Sequence, residues 1–211
     1  MILVSTLFLL SSSALFALEK GPYLGLSAGL GIINGDSKNS SSAGSFNLGF
    51  AEGGQGALTL GYRLAPNSDW GTGRVELEVG YRQNQVDQIE FSDGQLSGSG
   101  EVVIWDLMFN SYGEYLNGSR WTPYGGLGLG AALFALQQIE VGAAPVLDDQ
   151  DLVLAYQLAF GLEYSLTSNV EFDLGYRFFG TGTPSLTDAQ GARVESEYQV
   201  HNLQLGLRVY F

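Results

Sequence analysis

The chain has 211 residues, with 30 Gly, no Cys, 12% aromatic and 15% charged side chains, and its 22 acids against 9 bases give a net charge of −13. That balance excludes nucleic-acid binding through a basic surface, and the lack of Cys excludes a disulfide framework, thiolate metal sites and a Cys nucleophile. A single His, His201, leaves little material for a zinc site or a His-based triad, while 45% hydrophobic residues exclude disorder and the Gly and aromatic content favours one β domain.

Residues 1–17 read MILVSTLFLLSSSALFA, an apolar run from Ile2 to Leu10 followed by small residues up to Ala17. This is the hydrophobic and cleavage region of a secretory signal peptide, although no Lys or Arg follows Met1. Ser5 and the Ser11–Ser13 run leave the stretch too short and broken for a membrane anchor. An exported domain over 18–211 is expected.

From Tyr23 onward apolar residues recur with period two. Leu24, Leu26, Ala28, Leu30 and Ile32 share one face, and Gly25, Ser27, Gly29 and Gly31 the other. The same alternation marks 57–64, 74–83, 102–112, 122–136, 153–166, 170–179 and 202–211. Each segment is close to the ~9–11 residues that a tilted strand needs to cross a bilayer core. Short connections (APNSDWG, EYLNGSRW, LTSN) alternate with long ones at 34–56, 84–101, 137–152 and 180–201. The spacing predicts an all-β fold, an eight-stranded antiparallel up-and-down transmembrane β-barrel with long loops at one end. Loop 34–56, rich in Ser, Gly and Asn, reads as a mobile surface tip.

A lipocalin-type barrel would turn the apolar face inward. Here the opposite face carries Gly and full charges, which suit a narrow polar lumen and not a dry core. Aromatics on the apolar face also gather near strand ends. Tyr62, Tyr164, Phe172 and Phe211 mark one end, and Tyr81, Trp105, Tyr156 and Phe178 the other, as two interfacial girdles require. The apolar face therefore meets lipid.

Parity then places Arg63, Arg74, Glu76, Glu78, Arg82, Asp106, Glu163, Glu171, Asp173, Arg177 and Arg208 inside the barrel. Acids and bases nearly balance there, and an eight-stranded barrel holds little besides side chains, so an interlocked charge plug is expected. Arg208 is expected to pair with Glu171 or Asp173. The alternative is a narrow ion path through the same groups. The long connections carry most of the negative charge against only Lys38 and Arg193, and Glu19, Asp69 and Glu114 fall outside both groups. Asp148, Asp149 and Asp151 lack the spacing of an EF-hand and read as a solvated acidic loop. No metal or cofactor is expected.

The closing residues Gln204-Leu205-Gly206-Leu207-Arg208-Val209-Tyr210-Phe211 resemble the terminal signal read by the outer-membrane barrel-assembly machinery, with Gln204, Gly206, Val209 and Phe211 at its key positions. The stretches 155–182 and 107–130 resemble strands of the small outer-membrane β-barrel family, which includes opacity-type surface antigens and the OmpA transmembrane domain. The resemblance implies the outer membrane of a Gram-negative bacterium, extracellular loops, periplasmic termini and a monomer in outer-membrane lipid that uses the assembly machinery during biogenesis. It implies a non-enzymatic structural or interaction protein whose loop partner is open, with a small porin-like channel as the alternative. Lipid A deacylases share the scaffold and use a His and a Ser close together. His201 lies five residues from Ser196, without that motif, and reads as a headgroup-level His.

Overall fold

Alternating Leu and Gly leave each strand with one face that lipid can wet and one that admits neighbours closely. The computed structural model describes residues 21–32, 37–41, 44–50, 53–66, 71–91, 94–141, 144–187, 191, 193–196 and 198–211. The expected signal peptide lies outside them. Twelve strands run through the described residues: β1 (Gly21–Ile32), β2 (Ser37–Ser41), β3 (Gly44–Phe50), β4 (Gly53–Arg63), β5 (Gly71–Phe91), β6 (Gly94–Tyr115), β7 (Trp121–Val141), β8 (Ala144–Ser165), β9 (Val170–Thr181), β10 (Ser185–Thr187), β11 (Arg193–Ser196) and β12 (Gln199–Tyr210).

Eight of them close a barrel in the order β1-β4-β5-β6-β7-β8-β9-β12, with β12 returning antiparallel to β1 through Leu26↔Leu207 and Leu30↔Leu203. Closure leaves no open edge within the membrane-crossing part, so every ladder is paired where lipid offers no hydrogen bonds. Leu26, Leu58, Leu77, Phe109, Leu129, Leu158 and Leu205 all point outward and are exposed. Such a continuous apolar belt is stable only against lipid. Aromatic contacts border it: Trp121 meets Tyr164 at 4.7 Å near the short turns, and Tyr81 meets Trp105 at 4.9 Å toward the other end.

The long connections depart from the sequence expectation. β5 through β8 run 21 or 22 residues each, so 84–101 and 137–152 are mostly hairpin extensions of paired strands, not loops. Beyond the lipid belt the outward positions become polar (Gln83, Gln85, Gln137), which erases the amphipathic signature while the backbone goes on pairing. Segment 34–56 likewise contains β2 and β3, where a mobile tip was expected, and 180–201 contains β10 and β11; residues 34–36, 42–43, 51–52, 188–190, 192 and 197 lie outside the described residues. β3 takes over from β4 beside β5, and β2, β11 and β10 follow in turn.

This second tier closes on β8 in an unusual way. The β8–β9 ladder ends at Ala155↔Thr181, and Pro184 lacks the N–H that would continue it. Side chains then span the gap. Asp151 Oδ2 accepts from the Ser185 amide at 2.9 Å and Asp149 Oδ2 from the Thr187 amide at 2.8 Å. These two acids, expected in a solvated loop, thus cap backbone donors. Inside the tier lies an apolar core of Val86, Val102, Ile104, Phe134, Leu136, Leu186, Val194, Tyr198 and Val200.

Candidate functional site: the charged lumen

Below that apolar core, the inward face of the barrel is charged. All eleven parity-assigned residues are buried: Arg63, Arg74, Glu76, Glu78, Arg82, Asp106, Glu163, Glu171, Asp173, Arg177 and Arg208. Glu114 is buried with them. Its even parity on β6 continues from Asp106 and Asn110, but the alternation in the sequence ends at Tyr112, so the expected inward set omits it. Extending the alternation by one step would have found it.

Near the short turns the groups form one connected layer. β4 and β5 place Arg63 directly opposite Arg74, a repulsive pair that only carboxylates from across the lumen can neutralise. Arg63 donates through Nη1 and Nη2 to the two oxygens of Glu171 at 2.7 and 2.8 Å, and through Nη2 to Glu163 at 2.8 Å. Its Nε lies 2.8 Å from Glu114 Oε2, an ion contact without hydrogen-bond alignment. Arg74 donates to Glu114 at 2.5 Å, to Glu76 at 2.9 Å and to Glu163. Both guanidiniums also stack on rings: Arg63 lies 4.7 Å from the Tyr210 centroid and Arg74 4.1 Å from that of Tyr112. These rings shield the cations from the wall without competing for the acids.

Arg208 faces Glu171 across the β9–β12 ladder, yet it does not bond to it. Glu171 is already taken by Arg63 and by the Tyr210 hydroxyl at 2.9 Å. Arg208 instead donates to Glu163 at 2.7 Å and lies 3.3 Å from Asp173 and 3.6 Å from Glu76. Of the two partners expected for it, the structure brings Asp173 and not Glu171.

Higher up, Arg177 pairs with Glu78, and Gln157 joins Asn110 at 2.6 Å. The uppermost charged layer is Arg82 with Asp106 at 3.0 Å; the guanidinium lies 3.9 Å from the Phe179 ring, which belongs to the apolar core. The interior therefore passes from ion pairs to hydrocarbon at Phe179. Glycines make room for this filling: a Cβ at Gly61 would lie 2.1 Å from the Tyr23 ring, whose hydroxyl donates to Glu76 at 2.5 Å. Seven carboxylates face five guanidiniums, and each carboxylate meets at least one of them. Every acid is thus paired, although the acids outnumber the arginines by two.

The other candidate positions lie on the barrel's outer wall and closing strand. Val209 and Phe211 point outward and are exposed, while Gln204 is buried and accepts from Gln55 at 3.3 Å. Gly206 faces Asp173 across the ladder, where its missing side chain lets Asp173 into the lumen. His201 is half-buried on the outer face, hydrogen-bonded through Nδ1 to the Tyr176 hydroxyl and packed on Phe178 with centroids 5.1 Å apart.

A family model described as an outer membrane protein beta-barrel domain matches residues 2–211. A putative adhesin of Rickettsia felis is 24% identical over 216 residues, covering 95% of this chain and 93% of its own. The outer membrane protein PagN of Salmonella typhimurium is 25% identical over 124 residues, 54% of this chain; the match spans about half of PagN's length (52%). Among solved structures, Neisserial surface protein A superposes with a TM-score of 0.55 at 21% identity, covering 90% of this chain and 97% of its own. With the closed eight-stranded barrel, its lipid belt and a family match over nearly the whole sequence, the chain belongs to the outer membrane protein β-barrel family.

Proposed function

We propose that this chain is a non-enzymatic, monomeric barrel that presents its extended tier outside the cell as an interaction surface, with its lumen closed to ions. One observation carries the closed lumen: three ion-pair layers stack from Arg63 near the turns, through Arg177 with Glu78, to Arg82 with Asp106, and the last lies against the buried apolar core at Phe179. A path for hydrated ions would have to part at least one charge pair in each layer and then cross hydrocarbon. The putative adhesin among its relatives supports an interaction role. The Tyr176 bond to His201 supports a structural use of that imidazole, against lipid A hydrolysis. In this reading outer-membrane lipid surrounds the belt, the assembly machinery reads Gln204, Gly206, Val209 and Phe211, and both termini are periplasmic.

Orientation and exposure are tested together by labelling. The chain has no native Cys, so Gln150→Cys on the extended tier and Asn117→Cys in a short turn each offer a single thiol. A membrane-impermeant maleimide added to intact cells should modify Gln150→Cys and spare Asn117→Cys until the outer membrane is opened. The reverse pattern would invert the barrel and remove the surface role.

A further inference from the structure

The turn between β6 and β7 holds a polar grouping that serves neither the lumen nor the belt. Asn117, Gly118 and Ser119 are all exposed there, and Gly118 has a φ of +72°, with open space where a Cβ would stand. Asn117 Oδ1 accepts from the Ser119 amide at 3.0 Å and from the Ser119 hydroxyl at 2.7 Å. A backbone N–H can only donate, so the carboxamide atom facing it is oxygen, and Nδ2 occupies the other branch. Ser119 Oγ in turn accepts from the Trp121 amide at 3.1 Å, which polarises the hydroxyl; the Trp121 carbonyl, at 3.2 Å, is its more distant acceptor. These donors are fixed by β7, since Trp121 is its first residue and pairs with Tyr164.

Two donors converging on one carboxamide oxygen form a small oxyanion hole. Donors at about 2.7–3.1 Å stabilise the negative charge that an attacked carbonyl oxygen acquires. The adjacent nucleophile is the amide nitrogen of Gly118, and a residue without Cβ does not hinder its approach. We infer that Asn117–Gly118 is a self-modification site, at which the Gly118 nitrogen attacks Asn117 Cγ while Ser119 holds the oxygen. The N–Cγ bond forms, the Cγ–Nδ2 bond breaks, and ammonia leaves with the proton of the Gly118 amide. Water, the only co-reactant, then opens the cyclic imide at either carbonyl to give aspartate or isoaspartate. Both products put a new carboxylate in the turn, and isoaspartate also lengthens its main chain by a methylene.

Asn169, in the turn between β8 and β9, provides the contrast. Its Oδ1 also accepts, from the Thr167 hydroxyl at 2.9 Å. The residue that follows it, however, is Val170, whose branched side chain crowds the nitrogen and whose backbone is paired with Val209. Among the described residues an Asn-Gly pair occurs only at 117–118; Asn34–Gly35 lies outside them.

The full-length barrel in lipid vesicles, incubated at neutral and at mildly alkaline pH and then digested with trypsin, provides the test. Peptide 83–120 reports Asn117, apart from Asn34 in peptide 21–38, through the mass difference between NH2 and OH. Labelling by a carboxyl methyltransferase specific for isoaspartate separates the two products. The wild-type barrel should accumulate isoaspartate at position 117, faster at the higher pH, while Asn169 stays intact. Ser119→Ala should slow the conversion by roughly threefold to tenfold, the contribution of one hydrogen bond. Gly118→Ala should slow it by roughly tenfold or more, through the added Cβ and the left-handed backbone. The heat-shifted gel migration of the folded barrel should be unchanged in both variants. A residue 117 that stays asparagine in the folded wild-type barrel while the urea-unfolded chain converts would overturn the inference. Conversion of Ser119→Ala at the wild-type rate would overturn it too, as an exposed turn without an oxyanion hole would behave that way. Conversion at Asn169 that keeps pace with Asn117 would also overturn it.

Discussion

Arg74 has no exposed surface to speak of, yet it touches three carboxylates, Glu76, Glu114 and Glu163, and two tyrosine rings. Desolvating such a charge is expensive, and the three acids offset the cost only while the guanidinium stays in place. Arg74→Ala should therefore lower stability by about 3–5 kcal/mol, the cost of leaving buried carboxylates unpaired. Urea titration of the barrel in lipid vesicles measures it; a loss below 1 kcal/mol would mean that water reaches the layer. Gly61 answers to sterics alone. Gly61→Ala would push a methyl into the Tyr23 ring and should cost about 1–3 kcal/mol, as overpacking does. At this scale the sequence was informative because parity is strict. Eleven of the twelve inward charges follow from counting by twos, and Glu114 escapes because alternation in the sequence ends its strand at Tyr112. Which acid each arginine chooses was not legible, since Arg63 reaches Glu171 across the lumen and displaces its ladder neighbour Arg208.

The strands themselves respond to what lies outside them. Leu129 is 66% exposed near the middle of β7, so Leu129→Arg should place a charge in hydrocarbon and cost about 2–4 kcal/mol by the same titration. A neutral result would mean that this face does not meet lipid. On the inward side Gly128 fails for another reason, because a Cβ there would lie 1.9 Å from Asn110 Oδ1. On β12, deletion of Phe211 or Phe211→Ala should lower the outer-membrane level and leave protease-sensitive chain in the periplasm; unchanged, heat-modifiable barrel in the mutant would show that the ring is dispensable for assembly. The β8–β10 seam has its own signature. In Asp149→Asn combined with Asp151→Asn, the amides of Ser185 and Thr187 lose charge-assisted acceptors, so their hydrogen exchange should quicken while that of Leu174 on β9 does not. None of this tier announced itself in the sequence. Amphipathic alternation reports a wall with lipid on one side, and above the belt water wets the outside, so paired strands read as polar loops.

As a whole the molecule is two stacked compartments inside one continuous wall. The lower holds seven acids interlocked with five arginines, and the upper holds an apolar core that a soluble protein would recognise as its own. The lower compartment and the lipid belt followed from alternation and charge. The upper core did not, because Val102, Ile104, Phe134 and Leu136 share parity with the inward charges, and alternation alone does not separate an apolar interior from a charged one. The two compartments together support the proposal that the lumen is closed to ions. Single-channel recording of the purified barrel in planar bilayers tests it most directly. The wild-type barrel should stay near the baseline, and Arg208→Ala, which frees Glu163 and Asp173 from a guanidinium, should raise the frequency of open events. Steady wild-type conductance that Arg208→Ala leaves unchanged would contradict the closed lumen and identify the barrel as a channel.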